Sequence, residues 1–257
     1  MRYGLRRVMI SLVLAAALGL NLAISIGFVR PVPAQAVNSA AVDPADLNVG
    51  SARQLIIVTA PNWRSRTGQV TAFERDADGG WQEVLGPTPA MLGYSGLAPS
   101  SERRQGTGKT PTGTFRIVST FGRKPNPGTS MPYRQVDRND AWTYDPRVPS
   151  TYNMMQTVRR SWKAYGGYVE HLWSYGVQYD YVAVLDYNLP RGEIRRGADG
   201  VRRTEQPADT SKGGGIFLHA SNGTVTAGCI AIPVQQMRDI TAWLDPAKEP
   251  VIVIGLD

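Results

Sequence analysis

The sequence predicts a mostly-β domain, a sandwich or twisted barrel with a few peripheral helices. Gly (27) and Pro (18) are abundant, which suits many tight turns and would break a helical bundle. Short apolar or alternating runs recur along the chain between turn residues. Clean helical periodicity appears only near the C-terminus.

Taken in order, Gln54–Ala60 is a short apolar run of strand character. Gly68–Arg75 partly alternates, and Gly80–Leu85 follows Asp78-Gly79-Gly80. These two predict a hairpin, because Asp-Gly turns supply the positive φ that tight hairpins require. Gly113–Thr120, Tyr181–Tyr187, Gly215–His219, Cys229–Ile232 and Pro250–Gly255 are further predicted strands. Val234, Met237, Ile240, Trp243 and Leu244 fall on one face of a helix over Val234–Leu244. Pro233 suits its first turn and Asp245-Pro246 its stop. A second helix is expected over Thr157–Trp173, interrupted by Gly166-Gly167. Gly122–Tyr152 and Leu189–Gly214 carry no regular pattern, and long irregular stretches inside a domain are often functional lids.

Hydrophobic residues make up 42% of the chain and charged residues 19%, enough apolar material for a sizeable core. The first 36 residues stand apart. Three arginines precede Val8–Val29, an uncharged and mostly apolar run, and Ala34-Gln-Ala36 forms a small-x-small cleavage site. This layout predicts residues 1–36 as a secretory signal or, uncleaved, an N-terminal membrane anchor. Either way the domain is expected outside the cytoplasm. Residues 37–50 read as a flexible linker, and residues 51–257 as one domain, expected to be a monomer.

The formal charge is +7, but Arg2, Arg6, Arg7 and Arg30 lie in that first segment, leaving the remainder near +3. No basic stripe or aromatic–basic motif appears, so nucleic acid is not an expected partner. No cluster of His, Cys, Asp and Glu has metal-ligand spacing, and no cofactor is expected. The Gly106–Thr110 segment lacks the first glycine of a phosphate loop, since Arg103 stands at that position. It reads instead as a turn into the next strand.

The chemistry-bearing segment runs from Gly213 to Pro233. An apolar strand ends in His219, a polar loop follows, and Thr226-Ala-Gly-Cys229 opens a second apolar run. If the two runs pair, His219 and Cys229 meet at one rim of the sheet. Cys229 is the only cysteine, so it has no intramolecular disulfide partner. A free thiol has a pKa near 8.5 and is a weak nucleophile until an adjacent base takes its proton. Small Ala227 and Gly228 leave backbone amides open to a substrate oxyanion. No acid is close to His219 in sequence, so a backbone carbonyl is a candidate to orient its ring. A buried structural cysteine is the competing interpretation.

This segment resembles the active-site region of the L,D-transpeptidases with a YkuD-type catalytic domain. That family carries a His, a loop, and then Ser/Thr-His-Gly-Cys followed by an apolar residue and Arg or Asn. His219, Thr226 and Gly228-Cys229-Ile230 match these positions, whereas Ala227 and Ala231 replace the second His and the Arg or Asn. Upstream, Gly106-Thr-Gly-Lys-Thr-Pro-Thr-Gly-Thr-Phe115 is similar to a second family segment, and Tyr152-Asn153 and Glu170-His171 to pairs in some relatives.

The resemblance implies a YkuD-like β-sandwich or twisted barrel. It also implies attack of Cys229 on an L,D peptide bond of a peptidoglycan stem, releasing D-Ala, followed by transfer to an acceptor amine. His219 would move the proton, and the amides of Gly228 and Cys229 would hold the oxyanion. Thr226, Ala227, Ala220, Glu170 and Tyr152 are the expected substrate-binding residues. Water as acceptor would give an L,D-carboxypeptidase or a Cys–His amidase. Ala227 and Ala231 also allow a non-catalytic peptidoglycan-binding module. Two further expectations concern surroundings: Glu170 and His171 as a base and its orienter, and Trp162, Tyr165 and Trp173 as a groove. A third is that Arg191, Arg195, Arg196, Arg202 and Arg203 form a basic gate.

Overall fold

The computed structural model describes residues 42–158 and 161–257, within one compact unit spanning Ser39–Asp257. The segment read as a signal or anchor, and residues 37–41, lie outside the described residues. Residues 42–50 of the expected linker pack down: Val42, Leu47 and Val49 join a small apolar cluster with Leu55, Ile57 and Val251.

The strands, in chain order, are β1 (Gln54–Ala60), β2 (Thr67–Arg75), β3 (Trp81–Met91), β4 (Leu97–Pro99), β5 (Thr110–Gly122), β6 (Tyr133–Gln135), β7 (Asp140–Thr143) and β8 (Met154–Thr157). They continue as β9 (Val169–His171), β10 (Val182–Leu185), β11 (Arg191–Arg196), β12 (Arg202–Gln206), β13 (Phe217–Ala220), β14 (Ile230–Ile232) and β15 (Val251–Leu256), with one α-helix among the described residues, α1 (Val234–Trp243). The main sheet runs β10-β13-β14-β3-β2-β1-β15-β5, and β5 pairs back onto β10. The sheet thus closes into a barrel, which removes its free edges. The fold is mostly β, as the turn-rich composition required.

The β2–β3 hairpin closes through Arg75↔Trp81, with Asp76 accepting from the backbone of Asp78 and Gly80 in the turn. Alternation decides what the barrel encloses. Ala183 and Leu185 of β10 and Leu218 and Ala220 of β13 join the main core with Ile56, Val58, Ile252 and Met237 and Ile240 of α1. Val182, Val184 and Phe217 face the other way, into a second core with Phe121, Trp142, Leu172, Tyr179 and Cys229. A three-stranded sheet, β8-β7-β9, lies in this second layer through Trp142. Strands β10 and β13 are therefore buried on both faces, which explains why they are apolar apart from His219.

Thr157–Trp173 is not a helix. It holds the end of β8, a 3-10 turn at Trp162–Tyr165 and then β9. Gly166 sits at φ +78 with Asp145 where its Cβ would stand, and Gly167 N–H donates to the Asp145 carboxylate at 2.6 Å. That bond, set by a residue about twenty positions upstream, overrides the local helical pattern. The two stretches without pattern also hold short strands: β6 and β7 in one, and the exposed β11–β12 hairpin in the other.

Candidate active site

Strands β13 and β14 run parallel, with Leu218 opposite Ile230 and His219 opposite Ala231. Cys229 stands one step before the Leu218–Ile230 pair. By the two-residue period it shares a face with Phe217 and His219. Both Cys229 and His219 line one cavity of about 420 Å³.

The turn before Cys229 is fixed by Thr226, which is buried. Its backbone N–H donates to Leu92 at 2.9 Å and its carbonyl accepts from Tyr94 at 2.8 Å, tying the loop to the end of β3. Its hydroxyl donates to the Cys229 carbonyl at 2.7 Å and accepts from the Gly228 amide at 3.1 Å. The Gly228 amide is thus engaged in the turn, which corrects the expectation that it faces an oxyanion. Gly228 is required for a different reason. Its φ is +139, and a Cβ would lie 2.8 Å from the Lys109 carbonyl.

The Cys229 thiol donates to the Gly215 carbonyl at 3.2 Å. Burial pushes this thiol up to about 12, and the nearby Glu170 carboxyl adds to the rise, while the Phe217 backbone and Arg103 oppose it. His219 Nδ1 lies 2.8 Å from the Ala220 carbonyl. A carbonyl can only accept, so Nδ1 carries the hydrogen and Nε2 the lone pair. Burial lowers the imidazole to about 4, against its backbone hydrogen bonds. At neutral pH the two groups are therefore a thiol and a neutral imidazole. The Tyr179 ring meets the His219 ring edge-on at 5.5 Å and holds its plane.

The expected binding residues separate. Thr226, Ala227 and Glu170 line the cavity. Tyr152 does not; it is completely buried, and its hydroxyl donates to Gln105, which does line the cavity. Ala220 is equally buried and acts through its carbonyl on His219 rather than through its side chain. Glu170 and His171 are adjacent on β9 and are not a pair. His171 is exposed against the edge of Trp162, whereas Glu170 accepts from the Tyr179 hydroxyl. The aromatic lining comes from Tyr94, Tyr144, Tyr168, Tyr175 and Tyr179, not from Trp162, Tyr165 or Trp173. The arginines of β11–β12 lie outside this cavity.

Two residues were missed. Asn153, fully buried at φ +57, accepts from Trp142 Nε1 and Gly215 N–H, both at 2.8 Å, and donates to the Asn188 carbonyl at 2.6 Å. It anchors, through the N–H, the residue whose carbonyl receives the thiol. Its neighbour Tyr152 was the residue the sequence suggested. Arg103, 4% exposed, donates Nε to Lys109 at 3.0 Å and Nη1 to Lys212 at 2.6 Å. Its Nη2 lies 3.1 Å from where a Gly228 Cβ would stand, so a positive charge underlies the cysteine turn. In the sequence Arg103 stands out only as the residue at the position where a phosphate loop needs its first glycine.

The barrel thus carries Cys229 and His219 in the wall of one tyrosine-lined cavity. The L,D-transpeptidase catalytic domain model, YkuD, matches residues 69–253. The chain belongs to that family. No curated protein matches it.

Proposed function

We propose that the chain is an exported L,D-transpeptidase that remodels peptidoglycan, with Cys229 as nucleophile. The observation that carries this reading is the shared cavity of Cys229 and a neutral His219 within a family-matched domain. The donor is a stem peptide whose L,D bond joins a diamino acid to terminal D-Ala. As the substrate carbonyl arrives, His219 Nε2 accepts the thiol proton and sulfur attacks the carbonyl carbon. Because burial disfavours both ions, proton transfer accompanies attack rather than preceding it. The Cys229 amide donates to the oxyanion, and the Arg103 charge beneath the turn stabilises it. His219 then protonates the departing D-Ala amine, leaving a thioester. An acceptor amine resolves it to a new amide. Thr226 and Ala227 border the donor path, and the five tyrosines supply apolar walls with polar tips. The basic–apolar leader ending in Ala34-Gln-Ala36 supports work outside the cytoplasm.

Purified donor tetrapeptide with an amine acceptor tests the reaction. Release of D-Ala together with a cross-linked product is expected; release of D-Ala with free tripeptide alone would replace transfer by hydrolysis.

A further inference from the structure

Glu170 has no role in the chemistry above, yet its carboxyl stands in the cavity. It projects from β9 into the space bordered by Cys229, and its Oε2 lies 3.8 Å from where a Cβ on Gly215 would stand. Gly215 is the residue whose carbonyl receives the thiol. The carboxyl and the thiol therefore both border Gly215 in the same cavity.

Arg103 and a neutral His219 line the same cavity, but among the described residues neither is hydrogen-bonded to Glu170. The titratable groups that face it are Tyr179, which donates a hydrogen bond to Oε1, Tyr144, Tyr175 and the Cys229 thiol. Burial raises every one of these groups above its ordinary value, so each is neutral at pH 7. Among the described residues, no lysine or arginine is paired with Glu170 by a salt bridge. A partly buried carboxylate without a counter-charge costs stability. A cation delivered by a ligand would supply the missing partner.

We propose that Glu170 is the acceptor-side acid–base group: it receives the ammonium of the incoming amine and removes the proton that prevents the nitrogen from attacking the thioester. This rests on the acyl-transfer reading above and assigns its second half. An amine reaches the site as R–NH3⁺, with no lone pair. The Glu170 carboxylate takes one proton and becomes a carboxylic acid. The neutral nitrogen attacks the thioester carbonyl, forming C–N. As C–S breaks, His219 accepts the second nitrogen proton and passes it to the departing sulfur, restoring the thiol. Glu170 returns its proton to solvent. Burial holds the Glu170 carboxyl up at about 7, so it exchanges protons near neutral pH, as a general base should.

The two half-reactions separate the tests. In the full chain, thioester formation is followed by intact mass with a donor tetrapeptide. Aminolysis is then followed with glycinamide, which is largely cationic at pH 7, and with hydroxylamine, which is largely neutral. Glu170→Gln keeps an oxygen to accept from Tyr179 but cannot take a proton. Aminolysis by glycinamide should fall on the order of 100-fold, well beyond any change in acylation, and the loss with hydroxylamine should be about tenfold smaller. The pH–rate profile for glycinamide should lose its limb near neutrality, and Glu170→Asp should restore part of both. Equal losses with the two nucleophiles, or an unaltered profile, would show that Glu170 merely holds Tyr179. No thioester in the wild-type chain would overturn the acyl-transfer reading itself, and this assignment with it.

Discussion

Thr226→Val isolates the turn that presents Cys229. Valine keeps the shape of threonine and removes only the hydroxyl. That hydroxyl serves two buried backbone groups, the Cys229 carbonyl at 2.7 Å and the Gly228 amide at 3.1 Å. Each group left unpaired costs about 1–3 kcal/mol. With partial relaxation the sum is roughly 2–4 kcal/mol. For a domain of this size each kcal/mol lowers Tm by about 2–4 °C, so thermal unfolding should shift down by roughly 5–15 °C. Acylation of Cys229 should slow by at least about tenfold, because a sub-ångström shift of the sulfur and its amide weakens transition-state stabilisation. Thr226→Ser, which keeps the hydroxyl, should recover most of both. Differential scanning calorimetry and a thiol-adduct time course read the two effects. A Thr226→Val protein melting within about 1 °C of wild type would refute the reasoning, because the hydroxyl would then carry neither bond.

Three other outcomes follow from the same geometry. Gly228→Ala places a methyl 2.8 Å from the Lys109 carbonyl at a φ of +139; a loss of about 3 kcal/mol or more in denaturant unfolding is expected. Glu170→Gln should stabilise the fold at pH 8 by up to about 3 kcal/mol and have little effect at pH 5. The reason is that a carboxyl raised to about 7 from 4.5 favours the folded state below 4.5 and loses that contribution as pH rises through 7. His219 works in the opposite sense. An imidazole lowered to about 4 contributes stability above pH 6.5 that is lost as pH falls toward 4, so His219→Gln should flatten the acid limb of a stability–pH curve by about 3 kcal/mol.

How far the sequence revealed these features depended on whether the deciding contacts were local. The strands β1, β2 and β15 and helix α1 are legible within a residue or so, β1 and β15 as short apolar runs, β2 by partial alternation and α1 by helical periodicity. The placement of His219 and Cys229 near strand ends is legible in the same way, since each ends or opens an apolar run beside small residues. The Thr157–Trp173 helix was misread because Asp145, far upstream, bonds to Gly167 and bends the chain there. Asn153 was overlooked in favour of Tyr152, since only the fold shows which of two neighbours reaches Gly215. Arg103 carried no local signal, as its bonds to Lys109 and Lys212 and its contact at Gly228 all form on folding. Glu170 was noticed with the wrong partner: alternation on β9 sends His171 outward and leaves Glu170 with Tyr179 and the thiol.

Acylation of Cys229 with His219 as its base is the step on which the proposed reaction depends. Intact-mass analysis of the full chain after incubation with a donor tetrapeptide, with D-Ala release measured in parallel, tests it most directly. One acyl adduct per chain and stoichiometric D-Ala are expected, with no adduct on Cys229→Ala and acylation slowed on the order of 100-fold or more in His219→Ala. An adduct that survives Cys229→Ala, or a wild-type chain that neither gains mass nor releases D-Ala, would contradict the account.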